Sequence, residues 1–184
     1  GKASHAGFNP EAGIHAIKAA CEAITTLPQG HIDEETTANI GLINGGEGIN
    51  IVPPSCTIRG EIRSLNHEKA LAMATQYQNA FQNSAEKYGA TMDWTQQIDI
   101  QAYETATSES IISRYVAACG LCEVEPKLIK TFGGSDNNVF SQHGIKGLVI
   151  ANSMNNAHSC KEYANVYEMQ KVIEMLRVLV TEIE

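Results

Sequence analysis

The sequence has no cluster of lysine or arginine. With 13 basic against 21 acidic residues it carries a net charge of −8, so the basic footprint of a nucleic-acid-binding domain is missing. No apolar run approaches the ~20 residues that a membrane helix needs. Neither GxGxxG nor GxxxxGK[ST] occurs, which removes the familiar phosphate loops. Cys119-Gly-Leu-Cys122 has no second CxxC to complete a zinc knuckle. Internal repeats and low-complexity segments are also lacking. What is present is ordinary globular material: 184 residues, 43% apolar and 18% charged. That suffices for one large domain or two small ones, with a core that needs no covalent staples. The five cysteines are odd in number and four sit in apolar surroundings. They are expected to be reduced core thiols of a cytoplasmic protein, with Cys119 packed on a helix face.

Asn9-Pro10-Glu11 is a helix start, with an Asn cap, Pro at the first position and an acid in the first turn. Ile14, Ile17, Cys21, Ile24 and Leu27 continue it at helical spacing until Pro28 and Gly30. His31-Ile-Asp33 reads as a solvated acidic loop. "TTANIGLI", with Ala38, Ile40 and Leu42 on one side, reads as a strand. "NGGEGINIVPP" is a loop. "CTIRGEIRSL" alternates cleanly, with Arg63 on its polar face. Asn66 caps a second helix that Gly89 stops. "MDWTQQIDIQAY" alternates as a last strand. With the opening residues taken as a strand end, the order is β-α-β-β-α-β, the split βαβ or ferredoxin-like pattern, over residues 1–105.

Residues 106–184 have another rhythm. A helix capped by Ser108 precedes the strand "VEPKLIK", and "TFGGSDNNVFSQHG" is a glycine turn with a short helix ended by Gly144. "KGLVIAN" reads as a buried strand, and a final helix uses Met169, Ile173, Leu176, Val180 and Ile183. Alternating helix and strand make this an α/β layer with a parallel sheet. Two strands are too few for a sheet covered on both faces, so this part is expected to be half of a domain.

Several residues could carry chemistry. Small neighbours leave His5 accessible in Ala-Ser-His-Ala-Gly, although an exposed histidine ahead of a cap fits the same residues. His31 and Asp33 are spaced like metal ligands on an extended segment, but the acidic loop reading fits them better. Gly133, Gly134, Ser135 and Asp136 form a strand-to-helix turn, either a ligand-approach turn or a plain capped one. His158, with Glu162 four residues on, follows the "KGLVIAN" strand, where ligands gather in open α/β sheets. It could be a metal ligand or a loop histidine. The Arg63 fork suits a substrate carboxylate, or a surface ion pair with Glu61. His15, His67 and His143 read as surface or cap residues.

Taken in order, "GKASHAGFNPEAGIHAI", "IDEETTANIGLINGGEGINIVP", "GEIRSL", "GGSDNNVF" and "AHSCKEY" resemble the peptidase T-like branch of the dimeric zinc metallopeptidases. That superfamily also holds aminoacylases, succinyl-diaminopimelate desuccinylases and glutamate carboxypeptidases. The resemblance covers almost the whole chain. It implies two zinc ions sharing a bridging water that attacks an amide carbonyl, with a glutamate as general base. It implies a lid and dimerisation domain over residues 1–105, and a C-terminal catalytic segment over 106–184. By motif, His5 reaches into the partner subunit's site to polarise the scissile carbonyl. Asn50 and Arg63 hold the substrate, the Gly133–Asp136 turn lines the site, and His158 is the last zinc ligand. The family's His-x-Asp, bridging Asp and Glu pair lie upstream of the lid and are not in this sequence. The chain is therefore expected to be an inactive part of a zinc aminopeptidase for short peptides, homodimeric through its lid, without retained zinc. A non-catalytic dimerisation module and an amidase or deacylase of N-acyl amino acids are the other readings.

Overall fold

The computed structural model describes residues 1–181. The chain falls into two compact units, Gly1–Ala102 and Tyr103–Glu184.

The first unit is a three-stranded antiparallel sheet with two helices. Its strands are β1 (Gly30–Asp33), β2 (Thr36–Gly45) and β3 (Cys56–Ser64), in the order β1-β2-β3. The helices are α1 (Ala16–Thr26) and α2 (His67–Tyr88). The α/β class expected of this unit is the one observed. Its inner elements follow the local sequence. Asn66 Oδ1 accepts from the Lys69 amide at 3.3 Å and starts α2, and Gly89 ends it in the left-handed region at φ 68°. Ala74, Tyr77 and Ala85 face inward, as the helical period requires.

Tertiary pairing changes the remaining elements. Asn9 makes no side-chain cap, and Pro10–Ala12 form only a single 3-10 turn. Ile14 pairs with Lys2 through two backbone bonds of 2.9 and 3.0 Å, which pulls the chain out of helix. α1 therefore starts later, capped by His15, whose Nδ1 accepts from the Lys18 amide at 3.2 Å. Its buried face is Ala16, Ala19, Ala20 and Ala23, and Cys21 is exposed. Small residues let α2 approach closely: Ser84 Oγ donates to Ala19 O at 2.7 Å. His31-Ile-Asp33 is not a loop; it is β1, paired with the start of β2. The Asp33 carboxylate meets Lys69 of α2 at 2.7 Å.

The alternation in β2 also breaks. Ile40 opposes Gly60, but Leu42 opposes Arg59, so Gly41 is an extra residue in a bulge. A bulge flips the following side chains; Leu42, expected on the inner face, is 62% exposed. Gly60 is required here, because a Cβ would lie 2.6 Å from the Asn39 carbonyl oxygen. The expected outer strands are reduced. The opening residues contribute only the bridges Lys2↔Ile14 and His5↔Ile51. Met92–Tyr103 forms no ladder among the described residues. Its Trp94 instead packs on the cluster of Leu27, Ala38 and Tyr77, against Phe81 at 6.5 Å.

The second unit holds α3 (Ser110–Leu121), α4 (Asn137–Gln142), the two-residue strands β4 (Met154–Asn155) and β5 (Tyr163–Ala164), and α5 (Val166–Thr181). Glu109, rather than Ser108, is the residue before α3. Ala118 and Cys119 of α3 pack on Met175, Val178 and Leu179 of α5. Cys119 is fully buried, as its helix position predicts, but the other cysteines are not core thiols: Cys56 and Cys122 are half-buried, Cys21 and Cys160 exposed. The inner face of α5 is not the expected one. Met169, Ile173, Leu176 and Val180 are all exposed; Ile183 lies outside the described residues. "VEPKLIK" and "KGLVIAN" form no ladders among the described residues. A strand exists only through its partner, and Ile129 and Val149 stand exposed.

Candidate functional site

The candidate residues of the first unit are assembled by backbone pairing. At the His5↔Ile51 bridge the Ala6 amide donates to Asn50 O at 2.9 Å, and the Val52 amide donates to Ser4 O at 2.9 Å. His5 and Asn50, far apart in sequence, thus sit on neighbouring segments, both exposed. Residues 5–9 form a tight turn: the Asn9 amide donates to His5 O at 3.0 Å, and His5 Nδ1 accepts from the amides of Gly7 and Phe8 at 3.1 and 3.2 Å. The imidazole stacks on the Phe8 ring, with centroids 4.2 Å apart.

Arg63 lies on β3, opposite Thr37. Its Nε and Nη2 donate to the two carboxylate oxygens of Glu61 at 3.1 and 3.0 Å, with both side chains about half exposed. That is a bidentate surface pair, and it leaves the guanidinium within reach of solvent.

In the second unit, the Gly133–Asp136 turn leads into α4. Ser135 is the capping residue, since its Oγ accepts from the Asn137 amide at 3.3 Å. Asn138 Oδ1 returns to the Ser135 amide at 2.9 Å, and the Asp136 side chain makes no cap bond. Asp136 is exposed; Asn137 and Asn138 are buried. His158 sits in the loop of the β4–β5 hairpin, exposed, at φ 63°. Glu162 does not stand beside it as a second metal ligand. Its Oε2 accepts from the His158 backbone amide at 2.6 Å and so holds the loop. Ser153 and Asn156 share the left-handed backbone, so the segment around His158 is conformationally demanding.

Among the described residues, no three His, Cys, Asp or Glu side chains converge to hold a metal ion. The donors among these described residues do not by themselves fit a metal centre, which takes three or more ligands per ion. The displaced carboxylate pKa values belong to structural pairs. Hydrogen bonding to Lys69, then to the Glu35 amide, lowers Asp33. Hydrogen bonding to Lys87, then to Tyr88, lowers Glu22. His31-Ile-Asp33 therefore does strand and ion-pair work. No helix of the described residues is long and apolar enough to cross a membrane. Sequence reasoning missed Phe8; its signal was an aromatic residue off the Ile14–Ile17 helical period, next to a site histidine.

Residues 1–89 match the family model of the peptidase dimerisation domain. They form a dimerisation domain of the M20 peptidases. The whole chain is similar to an uncharacterised protein, YqjE, of Bacillus subtilis (strain 168), with 34% identity over 182 residues, covering 99% of this chain and 49% of that protein. Its fold matches the crystal structure of aminopeptidase PepT from Bacillus cereus ATCC 10987 at a TM-score of 0.86 and 34% identity, covering 97% of this chain and 48% of the other. The Bacillus subtilis protein YXEP, described as a dinuclear metal-binding peptidase of the M20 family, shares the fold at 18% identity and a TM-score of 0.63, covering 93% of this chain and 48% of that one. The chain thus spans about half the length of these relatives.

Proposed function

We propose that this chain is the lid and dimerisation domain (residues 1–105) and the C-terminal catalytic segment (106–184) of a metal-dependent, cytoplasmic M20 aminopeptidase acting on short peptides. The observation that carries this reading is the likeness to an aminopeptidase over 97% of the chain, both units included. The lid geometry supports it. His5 is exposed on a hydrogen-bonded turn beside Asn50, where it can donate a hydrogen bond to an acceptor oxygen of a substrate. Asn50 supplies a second polar contact. Arg63 exchanges Glu61 for a substrate carboxylate, a swap that its half-exposed position permits. In the second unit, the Gly133–Asp136 turn contributes to substrate binding. His158 contributes one ligand to a zinc pair whose other ligands lie outside the described residues. The dimer forms through residues 1–89, the part that matches the dimerisation model.

The test uses a protein that carries this chain within the full length of its relatives. Release of the N-terminal residue from tripeptides, lost on chelation and restored by zinc, is the expected result. Cleavage of N-acyl amino acids with tripeptides untouched assigns a deacylase instead. A dimer that retains metal and hydrolyses neither is a binding module.

A further inference from the structure

The turn that carries His5 fixes more than its place. A neutral imidazole has one donor and one acceptor nitrogen, and the bond made by one decides the state of the other. His5 Nδ1 accepts two backbone amides, from Gly7 at 3.1 Å and Phe8 at 3.2 Å. The ring proton is therefore on Nε2. The same turn brings the Phe8 ring onto one face of the imidazole, 4.2 Å away and 19° from parallel. Phe8 itself is 86% exposed, so packing in the core does not explain an aromatic residue there. We infer that Phe8 is a positioning residue: with the Gly7 and Phe8 amides it holds His5 as a single tautomer and rotamer, presenting Nε2–H as a directed hydrogen-bond donor to a carbonyl or carboxylate oxygen.

Two nitrogens accepting and donating on opposite sides give the ring a fixed polarity. The amides hold it at Nδ1, and the Phe8 face blocks rotation toward the side it covers. A histidine free to turn presents its donor only part of the time. Each orientation lost to averaging reduces the fraction of encounters in which the donor meets its oxygen. The structural half of this inference stands by itself; the catalytic half rests on the aminopeptidase reading.

The test therefore has two arms. Nitrogen-15 NMR of the histidine rings in this 184-residue chain is expected to show His5 as the Nε2–H tautomer at a pH where the ring is neutral. Phe8→Ala should move it toward the mixture of a free imidazole, and Phe8→Trp should restore it. The Nδ1–H tautomer in the wild type overturns the inference, as does a spectrum that Phe8→Ala leaves unchanged. In the complete enzyme, Phe8→Ala should lower kcat about tenfold with KM and metal content unchanged. In a His5→Ala background it should have no further effect. Weakened self-association by Phe8→Ala with an unaltered His5 spectrum assigns Phe8 to an interface and also overturns the inference. If the NMR result holds and no peptidase activity exists, the aminopeptidase reading fails and the positioning of His5 survives.

Discussion

The two units of this chain satisfy their backbones in different ways. In the first, β2 and β3 pair along their whole length, from Thr36↔Ser64 to Gly45↔Cys56. In the second, the only ladder among the described residues is the two-residue pair β4–β5. Burial follows the same division. The first unit covers its sheet with α1 and α2 around Leu27, Ala38 and Tyr77. The second has a core between α3 and α5 and leaves Ile129, Val149, Ile173 and Val180 exposed. An antiparallel sheet closes locally through hairpins, whereas parallel strands need neighbours delivered by long crossovers. The strands of the first unit find their partners in neighbouring stretches of its own sequence, whereas "VEPKLIK" and "KGLVIAN" in the second find none among the described residues.

The difference has functional and structural tests. The largest expected effects are on turnover in a protein of the relatives' full length. His158→Ala, in the second unit, should remove bound metal along with activity. His5→Ala, in the first, should cut turnover about a hundredfold or more while metal content stays the same, the size of effect seen when one oxyanion donor is removed. Metal analysis beside kcat separates the two; a loss of metal in His5→Ala would erase the proposed division of labour.

Core truncation comes next. Leu27→Ala and Met175→Ala each remove a buried side chain from one unit and should cost about 2–5 kcal/mol. Hydrogen exchange should show each loss confined to its own unit. Spread of both losses over the whole chain would mean that the units unfold together. Gly60→Ala is expected to destabilise the first unit by about 1–3 kcal/mol through overpacking against the bulge. Chemical denaturation reads that shift.

Acid should distinguish the units more gently. Asp33 and Glu22 are both held below their ordinary values of 3.8 and 4.5, chiefly by hydrogen bonds to Lys69 and Lys87. A carboxyl depressed in the folded state adds stability above its unfolded pKa, and that contribution fades as the pH falls through the folded pKa. Both groups are in the first unit and solvent-exposed pairs are weak, so the acid loss should be small, confined there, and abolished by Lys69→Met together with Lys87→Met. A melt followed between pH 5 and pH 3 checks it. The smallest effect concerns Arg63. Glu61→Gln removes its carboxylate partner and should lower KM for a short peptide about two- to threefold, the worth of an exposed ion pair. A raised KM would indicate that Glu61 orients the guanidinium and does not compete for it.

Much of the first unit was legible because its signals are local. The Asn66 cap and Gly89 stop of α2 lie within a turn of the bonds they make, and β3 alternates along its length except at Gly60. The start of α1 was not legible: Asn9-Pro10 is a sound helix signal, but pairing of Ile14 with Lys2 outweighs it. The Leu42 face was missed because a bulge is a relation between two strands. The α5 face was missed for a related reason. Two apolar stripes run along that helix, and only the position of α3 selects Met175, Val178 and Leu179. For the site, motif order put His5, Asn50, Arg63 and His158 on the page, and strand spacing offered Glu61 as a partner for Arg63; what His5, Asn50 and His158 touch was not legible.

The sequence by itself determined which residues are candidates for the chemistry, where α2 and β3 lie, and the membership that residues 1–89 reveal. Residue identity, cap chemistry and short-period patterning are properties of neighbouring positions, and they survive without a fold. The tertiary structure alone decided that Asn50 lies beside His5, that Glu162 holds a backbone amide, and that Phe8 stacks on the imidazole. These are matters of direction and distance between groups, fixed by bridges, bulges and packing between segments, and no local pattern encodes them.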